Sequence, residues 1–77
     1  MSTVITPAEA TTNVGKNVER IIAARGMSQR ELAERSGIHE MTISRIIRGK
    51  NEPGIGAVAR IAEALDVLVD VLLRHVD

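Results

Sequence analysis

Aliphatic residues recur along this chain of 77 residues at the three- and four-residue spacing of amphipathic helices, and no segment alternates as a strand would. The first such stretch predicts a helix over Asn13–Arg25, with Gly26 as a stop signal directly after it. The residues that share its apolar face are Val14, Val18, Ile21 and Ile22. Residues 1–12 lack such a face and are rich in Thr, Ala and Ser, so we expect a flexible arm there. The capping-box form of Thr6–Glu9 leaves a short helical turn as the alternative.

Two shorter helices follow, joined by a turn that contains glycine. Ser28 caps the first of them, and Glu31 completes a capping box three residues later. The turn lies at Ser36–Ile38, where Gly37 suits the positive φ of a tight turn. The next helix covers about His39–Arg48, with the histidine at its N-cap, and ends at the following glycine. The inward-facing residues that would hold the pair together are Leu32, Ala33, Ile43, Ile46 and Ile47.

Two further helices complete the chain. The segment Gly54–Leu65 is amphipathic, and a last segment, Val67–His75, is rich in Val and Leu. The apolar positions of the fourth helix are Ile55, Val58, Ile61, Ala62 and Leu65. A chain of this size does not provide a second core, so we expect one domain over residues 13–77. Five helices with short connections predict an all-α bundle.

Composition excludes several classes of function. The chain has no cysteine, and its two histidines are far apart in sequence, so we expect no disulfide and no metal site. It has no Phe, Trp or Tyr, which removes the stacking platforms used for single-stranded nucleic acids. It has no nucleophile–base pair, carboxylate dyad or phosphate-binding glycine loop, so we expect neither an enzyme nor a cofactor. Without a signal peptide or a membrane span, the expected location is the cytoplasm. A chain this small also leaves little room for a small-molecule pocket.

Charge is distributed unevenly, although the formal net charge is zero. Residues 25–50 carry six basic and three acidic side chains, a balance of +3. Residues 51–77 carry two basic and five acidic side chains, a balance of −3. A molecule polarised in this way can hold one face against phosphate and keep the other away from it. The pattern favours DNA binding by the helical pair, and an ordinary solvated mixture of charges is the alternative.

The outward face of the third helix carries side chains suited to DNA. A helix-turn-helix joins two helices steeply and projects the second, whose N-terminal residues enter the major groove first. The residues on this outward face are His39, Glu40, Met41, Thr42, Ser44, Arg45 and Arg48. Arginine and lysine at the end of the helix would add salt-sensitive affinity for phosphate. The segment of about residues 28–48 therefore predicts a DNA-binding helix-turn-helix.

The segments RGMSQRELA, SGI and ISRIIRGK resemble the Cro/C1-type helix-turn-helix (XRE) family of phage repressors and bacterial regulators. Glu52–Pro53 and Ile61–Leu65 are similar to the fourth-helix region of that family, so the resemblance covers roughly Val14–Leu73. It implies a compact, five-helix, lambda repressor-like domain that binds operator DNA, usually as a two-fold dimer. The base contacts that it implies are Glu40, Met41 and Arg45, with Ser44 as a neighbouring candidate. The DNA backbone contacts that it implies are Ser28, Gln29, Thr42, Arg48, Lys50 and Asn51.

Two features depart from the family's pattern. The best-known phage repressors have glutamine near the start of the recognition helix, whereas this chain has Glu40 and Met41. Glu40 either accepts a hydrogen bond from cytosine N4, or pairs with a neighbouring arginine and repels phosphate. Met41 would pack on a thymine methyl group, and Arg45 would bind guanine with both donors. The N-terminal arm has no Lys or Arg, unlike the basic arm of the lambda repressor, so we do not expect it to grip DNA.

The C-terminal segment has more apolar residues than one inward helical face can bury. If Val69, Leu72 and Leu73 pack on the domain, other aliphatic side chains must face outward and invite a partner. The predicted dimer-interface residues are Leu68, Val71 and Val76. A two-fold dimer through this helix would place two recognition helices about 34 Å apart, one turn of DNA. In the alternative, the helix only closes a small core and the chain stays monomeric until it meets DNA.

These features predict a sequence-specific regulator of transcription that binds double-stranded DNA. The preferred hypothesis is a repressor that occupies an operator through the major groove as a homodimer. An antitoxin-type autoregulator, whose apolar C-terminal helix binds a partner protein, is the alternative.

Overall fold

A computed structural model describes residues 5–76 of the chain. Within these residues the chain forms five α-helices and no strand, so the predicted all-α, five-helix architecture is confirmed. In chain order the helices are α1 (Pro7–Ala24), α2 (Gln29–Ser36), α3 (Glu40–Ile47), α4 (Ile55–Leu65) and α5 (Val69–Leu73). No helix of the described part is long and apolar enough to cross a bilayer.

The first helix begins six residues earlier than the predicted Asn13. Thr6 is its N-cap: the Thr6 hydroxyl accepts from the Glu9 backbone N–H at 3.1 Å, and the Glu9 carboxylate accepts from the Thr6 N–H at 3.1 Å. Pro7 at the first helical position fits this start, because its missing N–H has no helical partner to lose. The prediction of a flexible arm is therefore wrong for residues 7–12. They are helical because the capping box starts the helix there, although these residues have no apolar face. Residues 1–4 of that arm lie outside the described residues.

The core is built from aliphatic side chains of all five helices. The buried ones are Val14, Val18, Ile21, Ile22, Leu32, Ile43, Ile46, Val58, Ile61, Ala62, Leu65 and Leu72. The α1 helix packs on α3 and α5, the α2 helix on α3 and α4, and α4 also on α5. The α3 helix is thus held between α1 and α2, while α5 lies against α1 and α4.

One turn of α1 makes close contacts with both α3 and α5. Gly15 is buried, and a Cβ at this position would overlap the carbonyl oxygens of Ile46 and Ile47 in the last turn of α3. On either side of it, buried Asn13 and Asn17 reach α5 with their side-chain amides. Glycine at this position therefore permits the close approach of the two helix backbones.

The last helix is shorter than the predicted Val67–His75. It spans five residues, because Leu68 before it and Arg74 after it both have extended backbone. The carbonyls at its C-terminal end accept from side chains of α1: Asn13 Nδ2 donates to the Leu73 oxygen at 3.0 Å. Asn17 Nδ2 donates to the oxygens of Leu72 and Arg74 at 2.9 and 2.8 Å. These bonds take the place of the helical partners that the last carbonyls of a helix lack.

The start of α4 also differs from the prediction. Ile55 was expected on the apolar face with Val58 and Ile61, but it is 81% exposed. It is the first residue of α4, following Gly54 at the N-cap, and at this end of the helix its side chain lies at the rim of a groove rather than in the core. The other predicted apolar positions of α4 are buried.

Candidate nucleic-acid interface

Local signals in the sequence fix the geometry of the α2–α3 pair. The Ser28 hydroxyl accepts from the Glu31 N–H at 3.0 Å, and the Ser28 N–H donates to the Glu31 carboxylate at 3.4 Å, which forms the predicted capping box. At the other end of α2, Gly37 adopts a left-handed φ of 72° and its N–H donates to the Ala33 carbonyl. An L-residue is strained in this conformation, so glycine permits the sharp turn between the helices.

The start of α3 is capped by an imidazole. His39 Nδ1 accepts from the Met41 N–H at 3.1 Å, which satisfies one of the backbone donors that a helix N-terminus leaves free. Glu40 follows as the first helical residue, where a negative charge interacts favourably with the helix dipole. The predicted N-cap role of His39 is confirmed.

The two faces of α3 separate cleanly. Ile43 and Ile46 are fully buried, and Ile47 is half-buried against the core. On the opposite face Met41 is 57% exposed, although its side chain is large and apolar. The remaining exposed residues of this face are Glu40, Thr42, Arg45 and Arg48, with Ser44 half-buried beside them. The side chains predicted to read bases are thus on the solvent face of the helix.

A shallow hollow brings α2 and α3 together on this face. The residues around it are Gln29, His39, Glu40, Met41, Ser44 and Arg48. Gln29, the first residue of α2, is half-buried and lies beside the start of α3, where a residue that positions the recognition helix would be expected. The other predicted contacts do not line the hollow, and they are the exposed residues Thr42, Arg45, Lys50 and Asn51. Arg45 follows Met41 by four residues and therefore shares its side of the helix.

The end of α3 presents two basic side chains and an amide. Gly49 has a φ of 68°, and its N–H donates to the Ile46 carbonyl while the Lys50 N–H donates to the Arg45 carbonyl at 2.9 Å. This closure satisfies the last carbonyls of α3 and fixes where Lys50 and Asn51 emerge. The guanidinium of Arg48 folds back on its own helix, where Nε donates to the Ser44 carbonyl at 3.4 Å.

Of the six basic side chains in residues 25–50, three lie on α3 or in the loop that follows it, and exposed Arg30 lies on α2. Arg25 belongs to the basic segment by sequence, but its guanidinium donates to the Leu65 carbonyl and so ties the end of α1 to the end of α4. Arg35 pairs with Glu31 on α2 at 3.9 Å. Arg45 and Lys50 are in no ion pair among residues 5–76. Their charges are therefore available to an external anion.

Three residues that support this surface were missed by the sequence analysis. Gly15 sets the distance between α1 and α3, and Asn13 and Asn17 attach α5 to α1. A signal was present: the two asparagines are four residues apart and share the stripe of Val14 and Ile21. Polar residues on a buried stripe indicate partners within the fold.

The predicted dimer surface is smaller than the sequence indicated. Leu68 is 73% exposed, as expected for a residue that faces outward. Val71 and Val76 are half-buried, and Val71 packs against the core. Val69, Leu72 and Leu73 pack inward as predicted.

The comparisons with known proteins agree with this geometry. The model of the helix-turn-helix family HTH_3 matches residues 18–72. The uncharacterized HTH-type transcriptional regulator y4dL of Sinorhizobium fredii is 42% identical over 60 residues, which make up 78% of this chain and 31% of that protein. The chain thus spans less than a third of the length of this relative.

Three crystal structures share the fold. The restriction-modification controller protein C.AhdI from Aeromonas hydrophila superposes with a TM-score of 0.77 and 26% identity, over 80% of this chain and 94% of that one. An HTH_3 family transcriptional regulator from Vibrio cholerae gives a TM-score of 0.81 at 21% identity, over 87% of this chain and 38% of that one. The hypothetical transcription factor NHTF from Neisseria also gives 0.81, at 22% identity, over 96% and 85%.

The match to the family model covers well over half of the chain and includes the whole α2–α3 pair. It confirms the Cro/C1-type resemblance, and with it the expectation of a regulator rather than an enzyme. This chain belongs to the HTH_3 helix-turn-helix family of DNA-binding transcriptional regulators.

Proposed function

We propose that the domain is a repressor that binds operator DNA as a two-fold homodimer, with α3 in the major groove. The observation that carries this proposal is the solvent face of α3, which presents an exposed apolar side chain, an arginine and a carboxylate from one rigidly capped helix. A helix held in this way offers base-reading groups at fixed positions, as sequence-specific binding requires. The proposal includes the predicted cytoplasmic location, because prokaryotic DNA lies in the cytoplasm.

The residues divide by the part of DNA that each would meet. Arg45 would bind guanine O6 and N7 with two donors, and Met41 beside it would pack on a thymine methyl group. Ser44 is polar, half-buried and lines the hollow together with Met41, so it would contact a neighbouring base. The proposed phosphate contacts surround these readers at both ends of α2–α3, and they are Ser28, Gln29, Thr42, Arg48, Lys50 and Asn51.

We also propose that α5 forms the two-fold contact. Leu68 exposes most of its aliphatic side chain directly before α5, a helix that packs chiefly against α1 and α4. A contact at this position leaves both recognition helices free to face one side of a DNA duplex. A dimer would place them about 34 Å apart, in successive major grooves.

Selection of bound sites from a random pool of duplexes tests the function. We expect enrichment of a site with two-fold symmetry and half-site centres one helical turn apart. Affinity for the selected site should fall steeply between about 50 mM and 200 mM salt, because phosphate contacts release counterions. Failure to enrich any duplex, or binding that does not depend on salt, would contradict the proposal.

Variants of Arg45 separate base reading from phosphate binding. Arg45→Lys keeps the charge but loses the planar pair of donors, so it should weaken binding to the selected site much more than binding to random duplex. Arg60→Lys makes the same charge-conserving change at an exposed arginine of α4 and serves as the control. If Arg45→Lys weakens both kinds of binding equally, Arg45 contacts phosphate.

Two exposed aliphatic residues allow a matched test of the dimer. Leu68→Glu should convert the protein to a monomer in sedimentation equilibrium, whereas Ile55→Glu, at an even more exposed position, should leave the dimer intact. A wild-type protein that is monomeric and binds single half-sites independently would overturn the dimer but not DNA binding. Stable copurification with the product of an adjacent gene through Leu68 would instead favour the antitoxin-type alternative.

A reporter assay tests the direction of regulation. With the selected site overlapping a promoter, the protein should lower transcription because it blocks access to the promoter. Increased transcription from the same promoter would contradict the repressor role and leave sequence-specific binding in place.

A further inference from the structure

A carboxylate lies on the surface that we propose meets the polyanion. Glu40 is exposed as the first residue of α3 and lines the hollow together with Gln29 and Met41. Every DNA duplex, whatever its sequence, carries about one negative charge per 1.7 Å along its axis. A carboxylate at this position is therefore repelled by any DNA that offers it no compensating donor.

The structure leaves this carboxylate without a neutralising partner. The ion pairs formed within residues 5–76 join Arg35 to Glu31, Arg74 to Asp70, and His75 to Glu9. Arg48, which borders the same hollow, donates to the Ser44 carbonyl rather than to Glu40. Of the two alternatives that the sequence leaves open, pairing of Glu40 with a neighbouring arginine is therefore not the one that the folded domain adopts.

The chemistry of a carboxylate restricts which bases can relieve the repulsion. A carboxylate only accepts hydrogen bonds. In the major groove, cytosine offers the N4 amino group and guanine only the acceptors O6 and N7, while thymine offers the acceptor O4 and a methyl group. Adenine N6 is also a donor, but N7 beside it is an acceptor that repels a carboxylate. Cytosine is thus the base that best accommodates Glu40.

We propose that Glu40 is a specificity-determining residue that penalises non-cognate DNA and is satisfied by a cytosine in the operator. The proposal rests on the proposed function, since it needs α3 in the major groove. Glu40 chiefly changes the difference in affinity between cognate and non-cognate DNA. Phosphates repel its carboxylate in both kinds of DNA, whereas the hydrogen bond from cytosine forms only in the cognate site. A purely structural role, in which the charge only stabilises the N-terminus of α3, would alter folding stability but not that difference.

Glu40→Gln tests the proposal, because glutamine keeps the shape but is neutral and both donates and accepts. The control is Glu63→Gln, which changes the net charge equally on the exposed face of α4. We expect Glu40→Gln to raise affinity for random-sequence duplex about tenfold beyond Glu63→Gln, as a difference of 1.4 kcal/mol would do. Sites selected by Glu40→Gln should lose the preference for cytosine at one position of each half-site and keep the rest.

The outcomes are distinguishable. If the wild-type protein selects an operator and Glu40→Gln selects the same sites with the same ratio of cognate to random affinity as Glu63→Gln, then the role of Glu40 is wrong and the proposed function stands. If the wild-type protein enriches no duplex, the proposed function fails and this inference fails with it. Circular dichroism of both variants confirms that each compared protein is folded, and a change in unfolding temperature alone would support the structural role.

Discussion

Gly15 in α1 lies so close to Ile46 in α3 that a Cβ at position 15 would overlap the Ile46 carbonyl oxygen. The Ile47 carbonyl oxygen would lie 2.8 Å from the same Cβ, and both oxygens are backbone atoms, which cannot move aside as a flexible side chain can. The last turn of the recognition helix is therefore positioned by the backbone of α1 itself.

Gly15→Ala should accordingly destabilise the domain, although alanine favours helix. Overpacking of this kind costs typically about 1–3 kcal/mol, whereas replacing a helical glycine with alanine gains about 0.5–1 kcal/mol. We expect a lower urea midpoint and, because the end of α3 must shift, weaker binding to the selected operator.

Gly56→Ala provides the matched control for this change. Gly56 is also helical, in α4, but a Cβ there would meet no atom of another element within 4 Å. This variant should be as stable as the wild type or more stable, by up to about 1 kcal/mol. Equal effects of the two substitutions on the urea midpoint would contradict the close contact between α1 and α3.

Asn17 leads to a second prediction, since its buried amide donates to two carbonyls at the end of α5. Asn17→Ala would leave the Leu72 and Arg74 oxygens without this donor, at a cost of about 1–3 kcal/mol for a group left unsatisfied. Asn17→Asp should lower the free energy of unfolding further, because a carboxylate cannot donate to the Leu72 and Arg74 oxygens and its negative charge repels them. The measurement is the free energy of unfolding in urea.

Exposed Asn51 is the control for this series. Asn51→Ala should change stability by less than about 0.5 kcal/mol, as is usual for surface substitutions. If Asn17→Ala proved equally harmless, α5 would be held by apolar packing alone. Because the two-fold contact is proposed on α5, Asn17→Ala should also weaken dimerisation.

The pKa of Glu9 provides a third prediction. Thr6 holds the pKa of this carboxyl below its ordinary value, chiefly through its backbone N–H and then through its hydroxyl, and His75 at 3.8 Å acts in the same direction. Because the pKa of Glu9 is lower in the folded state, ionised Glu9 stabilises the fold at pH values above the ordinary pKa of a carboxyl group. This stabilisation is lost as the pH falls through the lowered value.

Carboxyl-carbon NMR titration of Glu9 tests this order of causes. Thr6→Ala removes the hydroxyl and should raise the pKa of Glu9 part of the way to its ordinary value. Thr6→Pro also removes the N–H, at a φ of −79° that proline accepts, and should raise the pKa further. His75→Ala should raise it least. A Glu9 pKa unaffected by Thr6→Pro would mean that the capping box does not form in solution.

The sequence predicted those parts of the fold that local signals determine. The bounds of α2 and α3 are set by the capping box of Ser28 and Glu31 and by the glycines Gly37 and Gly49. The hydrogen bonds at these bounds join residues no more than five positions apart. For the start of α1, the sequence favoured a flexible arm and left a helical turn at Thr6–Glu9 as the alternative; the capping box at Thr6 decides for the helix. The extent of α5 could not be read locally, because Asn13 and Asn17 bond its end across at least 55 residues of sequence.

The candidate site follows the same division. The solvent face of α3 was predictable, since the 3.6-residue period that buries Ile43 and Ile46 must expose Met41 and Arg45. Whether Glu40 has a neutralising partner was not predictable, because Arg48 could bond either that carboxylate or a backbone carbonyl, and only the folded domain decides between them.

His39 leads to the last prediction, on the start of the recognition helix. Its Nδ1 accepts from the Met41 N–H, so His39→Ala should lose about 1 kcal/mol, the usual cost of removing an N-cap side chain. His39→Asn supplies a side-chain oxygen at the same distance from the backbone and should retain the stability. His75→Ala removes an exposed imidazole that caps no helix, and should leave the urea midpoint nearly unchanged. If His39→Asn were as unstable as His39→Ala, the ring would stabilise α3 by packing rather than by capping.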